Sequence, residues 1–114
     1  MPEVQASHLL IKFSGSRNPV SRRTGESTAH ISKEAAVAEL KQWEEKIKSG
    51  QITFADAAAQ RSDCGSYTRG GDLGPFGPGM MQKPFEDASF ALKVGEMSGI
   101  VESDSGVHLI LRTA

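Results

Sequence analysis

From Gly65 to Gly79 the chain reads GSYTRGGDLGPFGPG, with Pro75 and Pro78 set among glycines. So dense a run of turn formers cannot carry a long helix or a long regular strand. Bulky apolar side chains nevertheless lie within it or just after it: Leu73, Phe76, Met80, Met81 and Phe85. A loop-rich segment from Arg61 to Leu92 holding such side chains is expected to line a concave surface. The only cysteine, Cys64, stands at its start, directly after Asp63.

The rest of the chain must supply a core for that segment to rest on. Val4–Phe13 (VQASHLLIKF) reads as a strand, with His8, Leu10 and Lys12 on one face and Leu9, Ile11 and Phe13 on the other. Ser32–Ser49 reads as a helix. Ser32 is its N-cap, Val37, Leu40, Trp43 and Ile47 form its apolar stripe, Glu44 and Lys48 pair, and Gly50 terminates it. A second helix starts at Thr53, buries Phe54, Ala57 and Ala58, and fades near Asp63. Cys64 is therefore expected just after a helix C-terminus, where the dipole disfavours a thiolate, so its activation must come from neighbours in space. Pro84 opens a third helix, with Phe85, Ala88 and Leu92 on one face and Gly95 at its end. A short strand at Ile100–Val101, a turn over Ser103–Gly106 and a strand over Gly106–Thr113 follow, and in the last His108, Ile110 and Arg112 share a face. The order strand, helices, strand, helix, two strands predicts an α+β fold with an antiparallel sheet, in one domain spanning residues 1–114.

Between these elements, Ser14–Ile31 is a long polar segment. Lys12, Arg17, Arg22 and Arg23 precede its first acid, Glu26. In a chain of net charge −1, a local basic cluster suits a small anion, and neither nucleic acid nor an anionic membrane is an expected partner. A single cysteine excludes an intrachain disulfide and a zinc site built from cysteines alone. The start lacks the marks of a secretory leader, and there is no apolar run of about 18 residues. Cytoplasm or nucleus is the expected location, and no metal is expected.

His8, Cys64, Ser105 and His108 are the residues able to carry chemistry. Cysteine with histidine suggests nucleophilic catalysis, although no glycine-flanked elbow or protease signature surrounds Cys64. The blocks SHLLIK, SDCGS, RGGDLGPF, MQKPFEDASFALKVGEMSGIV and DSGVHLILRT, which cover almost the whole chain, closely resemble the parvulin-type peptidyl-prolyl cis/trans isomerases. Within that family the chain is similar to the branch that prefers phosphoserine-proline or phosphothreonine-proline, without the amino-terminal WW module of some members. The resemblance implies a parvulin (FKBP-like) fold, with a four-stranded antiparallel sheet flanked by three to four helices. It implies a monomer without cofactor that acts on phosphorylated Ser/Thr-Pro segments of proteins. It makes His8 and His108 a pair on neighbouring strands and Cys64 the active-site cysteine, with Asp63 and Ser103 or Ser105, here Ser105, in the surrounding network. Leu73, Met81 and Phe85 would line a proline pocket, with Gln82 beside it to meet the substrate backbone. Lys12 and Arg17 would bind phosphate. The second arginine of the family motif is Asn18 here, and Arg22 or Arg23 would replace it.

Such an isomerase needs no covalent step, and Cys64 is expected to act as a hydrogen-bonding and electrostatic member of the histidine network. A phosphopeptide-binding module would need only the basic cluster. A cysteine hydrolase would need a reactive thiolate and a hydrolytic activity lost on alkylation.

Overall fold

The computed structural model describes residues 3–114. Its centre is an antiparallel pair of apolar strands, β1 (Val4–Ile11) and β4 (Gly106–Arg112). Both are buried over most of their length because both faces of the sheet are covered. β2 (Asp72–Phe76) pairs with the free side of β1, and β3 (Val101–Ser103) with the free side of β4, giving the order β2-β1-β4-β3.

The alternation of side chains divides the core in two. Leu9, Ile11, Val107 and Leu109 face α1 (Lys33–Lys48) and α2 (Phe54–Arg61), packing on Ala36, Leu40, Phe54, Ala57 and Ala58. Val4, Ala6 and Ile110 face the other way, onto Phe76 and onto Phe85 of α3 (Lys83–Ala91). Ser32 Oγ accepts from Ala35 N and Thr53 Oγ1 from Asp56 N, so both long-range helices begin at the expected caps.

Several boundaries differ from the sequence reading, each for a local reason. β1 stops at Ile11, because the next backbone N–H, that of Lys12, turns to a side chain, Asp63 Oδ2, at 2.9 Å. α3 ends at Ala91 instead of Gly95. Leu92 is already extended (ψ 148°), and Gly95 (φ 87°) instead serves a later turn whose N–H reaches Arg112 O at 2.7 Å. β3 starts at Val101, and a two-residue turn, Asp104-Ser105, joins it to β4.

The glycine-rich segment holds two elements that its composition concealed. Gly65–Arg69 is a 3-10 turn, and Asp72–Phe76 is a strand. The strand tolerates Pro75 because β2 is an edge, and it absorbs Gly74 (φ 72°) as a bulge between the Ser7↔Asp72 and Gln5↔Pro75 pairs. Nor does Ser14–Ile31 wander. Val20 bridges Ser27, Ser21 N donates to Glu26 O, and Thr28 N donates to Pro19 O. Ser14 N to Ile31 O closes the loop at its base, and two backbone bonds tie it to the body: Arg17 N to Asp104 O and Arg22 N to Asp63 O.

At the base of the site, Gly71 O accepts from His8 N at 2.9 Å while Gly71 itself takes φ 85°. A Cβ there would lie 2.3 Å from His8 O. We expect Gly71→Ala to lower the unfolding free energy by at least about 2 kcal/mol in a denaturant titration. An unchanged midpoint would contradict so close an approach of the two backbones.

Candidate active site

The register of β1 against β4 sets His8 opposite Ile110 and His108 opposite Leu10. The two histidines are therefore diagonal neighbours on one face of the sheet, close enough for their rings to meet. Their Nδ1 atoms are 3.0 Å apart and the rings stack at 22°. Phe85 stands edge-on to both, with centroids 5.4 Å from His8 and 5.1 Å from His108. One aromatic ring thus closes the α3 half of the core and orients the imidazole pair.

Ser103 Oγ lies 2.7 Å from His108 Nε2 and accepts from Ser105 N at 3.2 Å. Burial, and then the charge of His8, push the His108 pKa well below the ordinary histidine value, so His108 is neutral at pH 7. A backbone N–H can only donate, so the Ser103 hydroxyl proton is free for His108 Nε2. Neutral His108 carries one ring proton, so it donates to one of Ser103 Oγ and His8 Nδ1 and accepts from the other. His8 Nε2 faces away from this pair. That Nε2 is buried with no hydrogen-bond partner of normal geometry and belongs to a ring lining the cavity that Cys64 also lines.

Cys64 is half-buried. Burial alone would raise its thiol pKa, but attraction from His8, by hydrogen bonding and by charge, and hydrogen bonds from Ser66 bring it down to about 6. The helix-dipole objection to a thiolate does not apply here. α2 ends at Arg61, Ser62 and Cys64 are extended, and Cys64 opens the 3-10 turn. The expected source of activation, neighbours in space, is where the effect arises.

Two adjoining cavities flank Cys64. The smaller, about 280 Å³, is walled by Leu73, Met80, Met81 and Phe85, with His8, His108 and Ser103 at its polar edge. The larger, about 520 Å³, is lined by Lys12, Arg17, Asn18, Arg22, Arg69 and Ser66. Cys64, Arg17, Leu73 and Ser105 line both. Lys12 is buried, and its Nζ donates to Val20 O at 2.7 Å. Burial, and next the charge of Arg22, lower its pKa.

The structure gathers most of the residues singled out in the sequence and relocates four. Ser103, not Ser105, is the serine on His108. Ser105 Oγ instead accepts from Gln82 Nε2 at 3.2 Å. Gln82 lines the apolar cavity, yet its other amide atom, Oε1, accepts from Asp104 N at 2.9 Å, so both ends brace the β3–β4 turn. Asp63 carries no bond to either histidine. Its carboxylate holds Lys12 N and Arg61 Nη1, the latter at 3.1 Å, and its role is architectural. Arg23 does not line the basic cavity. It turns to a separate crevice beside Arg61 and Asp63. The residue missed altogether is Arg69, whose place at the end of a 3-10 turn no local pattern announces. No group of three or more His, Cys, Asp or Glu side chains is placed to hold a metal ion among the described residues.

The family described as Rotamase, PPIC-type PPIase domain, matches residues 8–114. The chain belongs to the PPIC-type peptidyl-prolyl isomerases. It is 55% identical to the peptidyl-prolyl cis-trans isomerase Pin1 of Malus domestica, over 97% of this chain and 93% of that protein. Identity to the Pin1 of Arabidopsis thaliana is 54%, over 98% and 96%. Among solved structures, that of TbPIN1 superposes with a TM-score of 0.89 at 61% identity, covering 98% of this chain and 97% of that one. The peptidyl-prolyl isomerase ESS1 from Candida albicans superposes with a TM-score of 0.94 at 45% identity, covering 98% of this chain and 63% of that one. As a member of this family the protein is a peptidyl-prolyl cis–trans isomerase of parvulin fold.

With a thiol pKa of about 6, the rate of Cys64 alkylation by iodoacetamide should climb to half its plateau near pH 6, well below the ordinary thiol range. His8→Asn should move that midpoint upward. A wild-type midpoint at about 8.5 would show an unperturbed thiol.

Proposed function

We propose that this isomerase acts on phosphoserine-proline and phosphothreonine-proline bonds without a covalent intermediate. The observation that carries the reading is the junction of the two cavities: a pocket walled by Leu73, Met80, Met81 and Phe85 adjoins a cationic basin, with Cys64 and Arg17 on the shared wall.

The chemistry follows from the amide. Rotation about an X-Pro bond loses resonance, with a barrier of about 18–20 kcal/mol, and uncatalysed exchange takes roughly tens to hundreds of seconds. The planar amide is the more polar state, with negative charge on oxygen and positive charge on nitrogen. Any surrounding that disfavours this charge separation lowers the barrier, provided it acts less on the twisted state. Leu73, Met81 and Phe85 fix the ring in a water-poor pocket. A thiolate at Cys64 beside the carbonyl oxygen destabilises the planar form and is relieved as the bond twists. Rotation breaks no σ-bond and expels no leaving group, so a charge at sulfur suffices and no covalent step is required. The Ser103–His108–His8 chain holds the proton arrangement that favours that charge.

On the basic side, a phosphate carries roughly −1.5 to −2 charges at pH 7. Lys12, anchored at Val20 O, and Arg17, fixed at its backbone to Asp104 O, suit it as partners.

Two measurements test the two halves. Cys64→Asp, which keeps a negative charge, should retain more kcat/KM than Cys64→Ala in a protease-free NMR exchange assay. Equal loss in both variants, or a thiol adduct trapped in mass spectra, would overturn the non-covalent reading. For the phosphate, the wild type should favour a phosphoserine-proline peptide over its unphosphorylated twin, and Arg17→Ala should cut that preference on the order of tenfold. Added salt should narrow it too, because Arg17 is exposed. Equal rates on both peptides would place the enzyme among unselective isomerases.

A further inference from the structure

We propose that the basic basin takes a second anionic side chain, upstream of the phosphorylated residue, with Arg69 and Arg22 as its partners. This rests on the phosphate reading above and extends it to the substrate class: doubly anionic segments, in which an acidic or second phosphorylated residue precedes the phosphoserine-proline.

The basin holds more positive charge than one phosphate needs. Lys12, Arg17, Arg22 and Arg69 line it, and no Asp or Glu does. None of the three arginines forms an ion pair with a carboxylate among the described residues, although Arg61 nearby is held by both Glu39 and Asp63. Unbalanced like charges gathered in one concavity are costly unless a ligand neutralises them.

Position separates the four cations into two sets. Arg17 lines both cavities and so stands at the junction, where a phosphate one residue before the proline falls. Lys12, Arg22 and Arg69 line the basin and not the proline pocket. Of these three, Lys12 already spends a donor on Val20 O, which leaves Arg22 and Arg69 as the second set. Arg22 is fixed through its N–H to Asp63 O at 2.9 Å, and its Cδ crosses 3.7 Å from where a Gly65 Cβ would stand. Arg69 is set by Nε to Asp72 O at 3.3 Å, which leaves its terminal nitrogens free of protein partners among the described residues. An extended peptide advances about 3.3–3.6 Å per residue. An anionic side chain one or two positions before the phosphorylated residue is thus within reach of the far wall of a 520 Å³ basin.

The test is protease-free NMR exchange with the full chain on one peptide sequence in five forms: Ser-Pro; phosphoserine-Pro; phosphoserine-Pro with an aspartate two residues upstream; the same aspartate two residues downstream of the proline; and a second phosphoserine upstream. Relative to the singly phosphorylated form, the upstream aspartate should raise kcat/KM about threefold and the second phosphate about tenfold, with no gain downstream. Arg69→Ala, its fold checked by circular dichroism, should bring the ratio of upstream-charged to singly phosphorylated peptide close to one, and Arg69→Lys should keep part of it. Equal effects of the upstream and downstream aspartate, or a ratio that survives Arg69→Ala, remove this inference alone. Equal rates on Ser-Pro and phosphoserine-Pro remove the phosphate reading and this inference with it.

Discussion

The carboxylate of Asp63 is the contact on which the arrangement depends. It is 2% exposed, and it pins the end of β1 to the end of α2, two elements already packed through Leu9, Ile11, Ala57 and Ala58. One oxygen takes the N–H of Lys12 where β1 ends, and the other takes Arg61 at the end of α2. The Asp63 backbone adds bonds to Leu10 O and from Arg22 N. A buried charge is tolerated only when it is so fully engaged, and its removal would leave a buried guanidinium and a backbone donor short of a partner. Because Asp63 is held on both sides, the next residue, Cys64, is delivered beside His8 at a fixed height over the sheet.

The site then separates two kinds of group by environment. His108, 3% exposed, is kept neutral by burial, while the half-buried Cys64 is drawn toward its charged form by His8 and Ser66. Both groups are thereby deprotonated at pH 7, the imidazole as a neutral ring and the thiol as an anion. Phe85 covers the pair from the α3 side, and the polar network opens on the cavity that Cys64 also lines.

Much of this was legible in the sequence because periodic burial leaves a periodic trace. The strand faces of Val4–Ile11 and Gly106–Arg112 and the two capped helices could be placed that way, while the gathering of His8, His108 and Cys64 came from the family resemblance. What was not legible depends on geometry that a local pattern does not encode. β2 hid because an edge strand can carry a bulged glycine and a proline, which read as turn signals. Ser103 and Ser105 are indistinguishable until the hairpin register sets one under His108. The resemblance put Asp63 in the histidine network, while its carboxylate turns to Lys12 N and Arg61. Arg23 adjoins Arg22 within a turn and leaves the basin for a separate crevice, while Arg69, distant in sequence, arrives through the 3-10 turn.

The loop from Ser14 to Ile31 closes on its own backbone, through Ser14 with Ile31, Val20 with Ser27 and Ser21 with Glu26, and meets the body by main-chain bonds at Arg17 and Arg22. Main-chain tethers do not depend on which side chains the loop displays. Its tip can therefore exchange one residue for another without moving the histidine pair or the proline pocket. Charge selection and bond rotation are thus separable traits on one scaffold: the first can drift toward new substrates while the second stays as it is.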